Sequence, residues 1–261
     1  MNPRVSKSKL PVGLLLIAAL ATSCGSKQKA YNVLSLNGSR EIMDEKYDKN
    51  ANKQMGQFVN HYKLRFDEQM KVPVATSDQI MTKGTPESLL TNFTSDQMKR
   101  YGDDYTHGNC DLAIMNVHGH RADLPKGTIT LENMYEVYSF DNKLVILKLK
   151  GSDLTKVFES YIRIGGAGVS SNVRLVGIGT QLKSALVDGK TVDPDKEYSI
   201  ATIDYLADGN DGMEDLRKAT SVVKTGVTLR DMMIGYVKSL TKEGKNLHSV
   251  LDGRIIISNP H

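Results

Sequence analysis

The loop Asn116-Val117-His118-Gly119-His120-Arg121-Ala122-Asp123-Leu124-Pro125-Lys126-Gly127 offers the first chemistry in this sequence. Asn116 and Arg121 flank a glycine-containing turn, a spacing that can bring a carboxamide and a guanidinium fork to one ligand. A simpler use of Arg121 is as a surface cation paired with Asp123. The histidines raise a second chemistry, because imidazole is a common zinc ligand and His107, His118 and His120 lie close together. Supporting carboxylates are missing, and no Asp-x-His opens a strand before them. The three are therefore read as polar loop groups, and no metal is expected in this chain.

These residues need elements to position them. Asp111 to Asn116 reads as a short apolar strand that delivers the loop, with a helix from Glu87 to about Tyr101 before it. A short helix over Asn133 to Tyr138, an alternating strand over Lys143 to Leu149 and an amphipathic helix over Ser152 to Ile164 follow. Further strands fit Asn172 to Val176, Tyr198 to Thr202 and Arg254 to Ile257, and a helix fits Thr228 to Leu240. Upstream, Tyr31 to Leu36 alternates like a strand, and Val72 to Ile80 reads as another. Between them Met55, Phe58, Val59, Tyr62, Phe66 and Met70 recur at helical spacing. Their stripe is expected to face the core. Helices and short strands intermixed give an α+β fold, one mixed α/β domain.

The loop continues into Thr128-Ile129-Thr130 and Tyr135-Glu136-Val137-Tyr138-Ser139-Phe140-Asp141-Asn142. Further on come Leu149-Lys150-Gly151-Ser152-Asp153-Leu154, Tyr205-Leu206-Ala207-Asp208-Gly209-Asn210-Asp211-Gly212 and Asp252-Gly253-Arg254-Ile255. In this order, from about Ser77 to the C-terminus, they resemble the C-terminal, substrate-binding domain of the 5'-nucleotidases. The resemblance implies that Phe140 and Tyr205 sandwich a nucleobase, although by type alone both would also suit a core. Base stacking on an aromatic ring is worth about 1–3 kcal/mol. It also implies that Arg121 meets phosphate, that Asn116 joins it, and that Asp211 accepts from the ribose hydroxyls.

There are departures from the family pattern. The family carries a second phosphate-binding arginine near a Glu-Ser motif, whereas Thr85-Pro86-Glu87-Ser88-Leu89-Leu90-Thr91-Asn92 has none. Lys83 offers a point charge there but not a fork. His118 and His120 replace small residues, and would narrow the phosphate end or make it pH-sensitive. The family's hydrolysis is done by an N-terminal metallophosphoesterase domain with two metal ions. Between Cys24 and the matched region only His61 supplies an imidazole, so divalent metals are expected on a partner domain only.

The first residues carry Arg4, Lys7 and Lys9, then an apolar run from Val12 to Ala21. This is the pattern of a secretory signal, and the run is short for a membrane span. Leu20-Ala21-Thr22-Ser23-Cys24 resembles the bacterial lipobox, which implies lipidation at Cys24 and a cell-envelope location, on the periplasmic face or cell surface. The expected division is a signal over 1–23, a tether over 24–30 and the domain over 31–261. Removing the signal's three cations from 34 Lys and Arg leaves 31 against 30 Asp and Glu, which argues against a nucleic-acid partner. Cys110 is then left without a disulfide partner, and is expected to be a buried small hydrophobe.

The function expected from these readings is a nucleotide- or nucleoside-binding subunit of a split 5'-nucleotidase, whose partner is a separately encoded metallophosphoesterase. The alternative is an envelope lipoprotein that binds nucleosides without catalysis.

Overall fold

The computed structural model describes residues 35–42, 44–46 and 52–259. Cys24 and most of the expected strand at Tyr31 to Leu36 lie outside them. Ser35 and Leu36 are not in a strand. The chain divides into two units, 1–53 and 54–261, and the second holds all the regular structure discussed below except the first residue of its opening helix.

That helix, α1 (Lys53–Met70), forms where the periodicity places it and stops before Pro73, which cannot continue it. Its stripe, however, does not face a core. Met55, Phe58, Val59, Tyr62 and Phe66 are each 52–59 % exposed, and within the helix only Met70 is buried. Helical spacing specifies a face, but what covers that face is a tertiary matter.

The remaining elements are β1 (Pro73–Ser77), α2 (Leu89–Thr106), β2 (Leu112–Met115), β3 (Gly127–Thr130), α3 (Leu131–Val137), β4 (Lys143–Lys150), α4 (Gly151–Arg163), β5 (Gly168–Val169), β6 (Val173–Ile178), β7 (Gln181–Val187), β8 (Lys190–Thr191), β9 (Glu197–Ile203), α5 (Asp204–Ala207), β10 (Ser221–Thr228), α6 (Leu229–Lys242) and β11 (Ile255–Ser258). Ser88 starts α2 with a capping box, its hydroxyl accepting from Thr91 N–H while Thr91 Oγ1 accepts from Ser88 N–H. Thr130 and Asn133 do the same for α3.

A central sheet runs β10-β4-β9-β2-β5, a second runs β11-β6-β7-β8, and β1 pairs with β3. β2 is buried at every position, as suits an interior strand beside a parallel neighbour. Its packing partners include α2, and the core gathers Leu90, Phe93, Met98, Leu112, Ile114, Leu147, Phe158 and Ile200.

A buried cation joins the two larger sheets. Arg254, at the start of β11, is fully buried and donates to Asp96 on α2 at 2.9 Å, to Asp252 at 2.9 Å and to the Val169 carbonyl of β5 at 2.9 Å. Such a charge is tolerated inside because carboxylates and a carbonyl replace its water.

Candidate functional site

The central sheet dictates where the loops converge. β2 and β9 are parallel, so the segments after their C-terminal ends leave at the same edge. β4 is antiparallel to β9 with Leu144 opposite Ile203, which brings the turn before β4 to that edge as well. Three sequence-distant segments therefore meet: the loop after β2 with Asn116 and Arg121, the turn with Phe140, and α5 with the following loop, carrying Tyr205 and Asp211.

These residues line one cavity of about 280 Å³, together with His118, Gly119 and Asn142. Asn116 is buried at the end of β2 and donates from Nδ2 to Asp211 Oδ2 at 2.6 Å. Tyr205 donates its hydroxyl to the other carboxylate oxygen, Oδ1, at 2.9 Å, and this bond pushes the phenol above its ordinary pKa. Asp211 sits at φ 56°, a left-handed conformation that Asp tolerates better than most residues. Gly209 and Gly212 on either side also have positive φ.

Asn116 Oδ1 is buried without a hydrogen-bond partner among the described residues. Gly119 explains how the loop fits over it, because a Cβ there would lie 2.5 Å from Asn116 Oδ1 and 2.3 Å from Met115 Cε. Only glycine allows this approach.

Phe140 and Tyr205 are 47 % and 39 % exposed, so neither is a core aromatic. Arg121 places its guanidinium 5.7 Å from the centre of the Phe140 ring. Asp123 instead accepts from the Lys83 backbone N–H at 2.9 Å. The Phe140 turn is clamped from α6 by Arg230, which donates to the carbonyls of Tyr138 and Ser139 and pairs with Asp141. Lys83 turns its ammonium to the His120 carbonyl, 2.9 Å away.

A second cavity of about 260 Å³ shares Asn116, His118 and Asp211 with the first and adds Thr85, Val117, Ile164 and Gly166. No lysine or arginine lines it. Ile164 and Gly166 of this lining lie outside the sequence motifs, and Asn142 of the first cavity has no role assigned by its motif, although it ends the one that contains Phe140. A more open concavity of about 940 Å³ lies elsewhere, bordered by Lys99, Asp103, Asp111, Lys148 and Glu197. Lys99 pairs there with Asp103 at 2.6 Å and Lys148 with Glu197 at 3.7 Å, and none of the converging loops contributes to it.

Among the described residues, no three His, Cys, Asp or Glu side chains are grouped to hold an ion. His120 is wholly buried and bonded to Thr94, while His107 ends α2 in a left-handed cap. Cys110 is a free, buried thiol whose pKa burial pushes up to about 11, which disfavours the thiolate.

The mixed α/β scaffold thus collects an Asn, an Arg, two exposed aromatics and an Asp at one edge of its central sheet. The sequence profile of the 5'-nucleotidase C-terminal domain matches residues 69–218, and the chain belongs to that family. The match begins within α1 and takes in every residue of the first cavity, while the Arg254 motif lies beyond it. Protein UshA of Yersinia enterocolitica is 31 % identical over 160 residues, 60 % of this chain and 26 % of that protein. The trifunctional nucleotide phosphoesterase protein YfkN of Bacillus subtilis is 26 % identical over 231 residues, 82 % of this chain and 16 % of that protein. Among solved structures, the 5'-nucleotidase precursor of Thermus thermophilus superposes with a TM-score of 0.69 at 25 % identity, covering 79 % of this chain and 43 % of that one. The chain thus spans about a quarter of the UshA relative's length.

Proposed function

We propose that this chain is the nucleotide- or nucleoside-binding subunit of a split 5'-nucleotidase. Phe140 and Tyr205 hold the base, Asp211 accepts from the ribose hydroxyls, and Asn116 and Arg121 address the phosphate side. The observation that carries this reading is the convergence of those five side chains on one cavity from three separate segments. A separately encoded metallophosphoesterase supplies the metals and the hydrolytic water. The family match to a C-terminal domain supports that division, as does the exposed apolar stripe of α1 immediately before the cavity-bearing region, since a helix face of this kind suits a protein partner. Lipidation at Cys24 holds the subunit in the cell envelope. Among the described residues no helix is long and apolar enough to cross a membrane.

The cation-free lining of the second cavity favours another reading, a lipoprotein that captures nucleosides without catalysis. Calorimetry with AMP, adenosine and inorganic phosphate separates them. The split enzyme binds AMP at least as tightly as adenosine, shows no phosphatase activity alone with added divalent metal, and gains activity with the partner. A nucleoside binder prefers adenosine. Turnover of AMP by the purified chain alone, or binding of neither ligand, overturns the first reading.

A further inference from the structure

Behind the cavity, Thr94, His120 and Tyr138 form a buried hydrogen-bonded chain. Thr94 Oγ1 lies 2.8 Å from His120 Nε2 and 2.8 Å from the Tyr138 hydroxyl, and His120 Nδ1 lies 3.3 Å from the Val117 carbonyl. His120 and Thr94 are 0 % exposed and Tyr138 2 %. A carbonyl can only accept, so Nδ1 carries the proton and donates to Val117. Nε2 then accepts from the Thr94 hydroxyl, whose oxygen in turn accepts from Tyr138. All three side chains are satisfied by this single arrangement.

The chain joins the segments that build the cavity. His120 belongs to the Arg121 loop, Tyr138 stands two residues before Phe140, and Thr94 is fixed on α2. Backbone bonds reinforce the junction, with Arg121 N–H donating to the Val137 carbonyl at 2.9 Å. We propose that His120 is a positioning residue that holds the Arg121 loop and the Phe140 turn at a fixed separation and so sets the affinity of the cavity without touching the ligand. The affinity part rests on the reading of the cavity as a nucleoside or nucleotide site. The separation part does not.

In this direction the relay requires a neutral ring. A second proton would convert Nε2 from acceptor to donor, so that the Thr94 hydroxyl must turn its own proton away from the ring and the chain reorganise. α2 presents the Thr94 hydroxyl to the ring, and the end of α3 presents Tyr138. The segment before α2 brings the Lys83 ammonium to the His120 carbonyl, and Asp123 is engaged by the Lys83 backbone. Burial, with Lys83 adding like charge, holds the imidazole pKa down at about 4.

The chain has no tryptophan, so Phe140→Trp creates a single fluorescent reporter in the turn. In that background His120→Leu, which fills the space without the bonds, should shift the emission and raise quenching by iodide. His120→Gln, which keeps an acceptor for Thr94, should restore both. Acidification toward about pH 4 should move the reporter in the His120 protein and not in the His120→Gln protein. In the Phe140 protein, His120→Leu should weaken adenosine or AMP binding about tenfold or more at a temperature where it is folded, and His120→Gln should recover most of it. If His120→Leu does not fold, Thr94→Val and Tyr138→Phe break the same chain at conserved volume and should give the same shift. Unchanged emission and quenching in whichever of these variants folds overturns the proposal. Absence of any nucleoside or nucleotide binding by the unmodified chain would instead overturn the ligand reading, and the reporter would still decide the positioning role.

Discussion

Asn116 donates its side-chain N–H to Asp211 Oδ2 at 2.6 Å across 95 residues of sequence. One bond therefore ties the end of β2 to the loop after α5, and the Tyr205 hydroxyl completes the carboxylate on its other oxygen. Replacing Asp211 by Asn keeps a residue tolerant of φ 56° and leaves the protein folded, but should cost about tenfold or more in nucleoside affinity. Asp211→Ala adds backbone strain and leaves Asn116 unpaired, so urea denaturation should show a loss of about 1–3 kcal/mol.

Phe140 and Tyr205 are half-exposed, and their truncation should separate binding from stability. Each alanine variant is expected to lose about 1–3 kcal/mol of ligand binding by calorimetry and to melt close to the unmodified chain. Unchanged affinity in both would remove the base clamp.

Stability should fall on acidification through His120. Its folded pKa of about 4 lies below the ordinary 6.5, so the folded state binds fewer protons between those values. The contribution is complete above about pH 6.5 and is lost as the pH falls toward 4, reaching about 3 kcal/mol. The difference between unmodified chain and His120→Gln in urea midpoint, followed from neutral to acid pH, measures it.

Removing the Arg254 side chain should be among the most damaging changes in the protein. Arg254→Ala strands the carboxylates of Asp96 and Asp252 around an empty space, with an expected loss of about 3–5 kcal/mol. Equilibrium unfolding is the measurement.

The α1 stripe makes the opposite prediction. Phe58→Ser and Phe66→Ser should change stability by about 0.5 kcal/mol or less, where a core helix would lose several. If α1 serves a partner, the same substitutions should weaken association in a pull-down with the metallophosphoesterase.

How far the sequence carries can be judged on particular residues. β2 was legible as a continuous apolar run, and β4, α4 and α6 because their apolar residues recur with strand or helix spacing. The α1 helix was legible as a helix, yet its burial was not, since periodicity contains no information about the opposing surface. β7 and β10 escaped notice because exposed edge-proximal strands mix Lys, Ser and Thr into the pattern. At the site, the family motifs pointed to five of the eight residues that line the first cavity, but not to the bonds among them. Nothing in the spelling of His118-Gly119-His120 says that one histidine opens onto two cavities while the other turns inward to Thr94. Only the packing of α2 against the sheet decides that.

The Arg254 junction also bears on the order in which the molecule can be made. Arg254 bonds Asp96, 158 residues earlier, and β11 lies parallel to β6, so neither contact exists until the ribosome has delivered that segment. Until then Asp96 lacks its buried cation and β6 has β7 on one side only. The Asp96–Arg254 junction is thus among the last contacts that the growing chain can make, and it locks together segments laid down long before it.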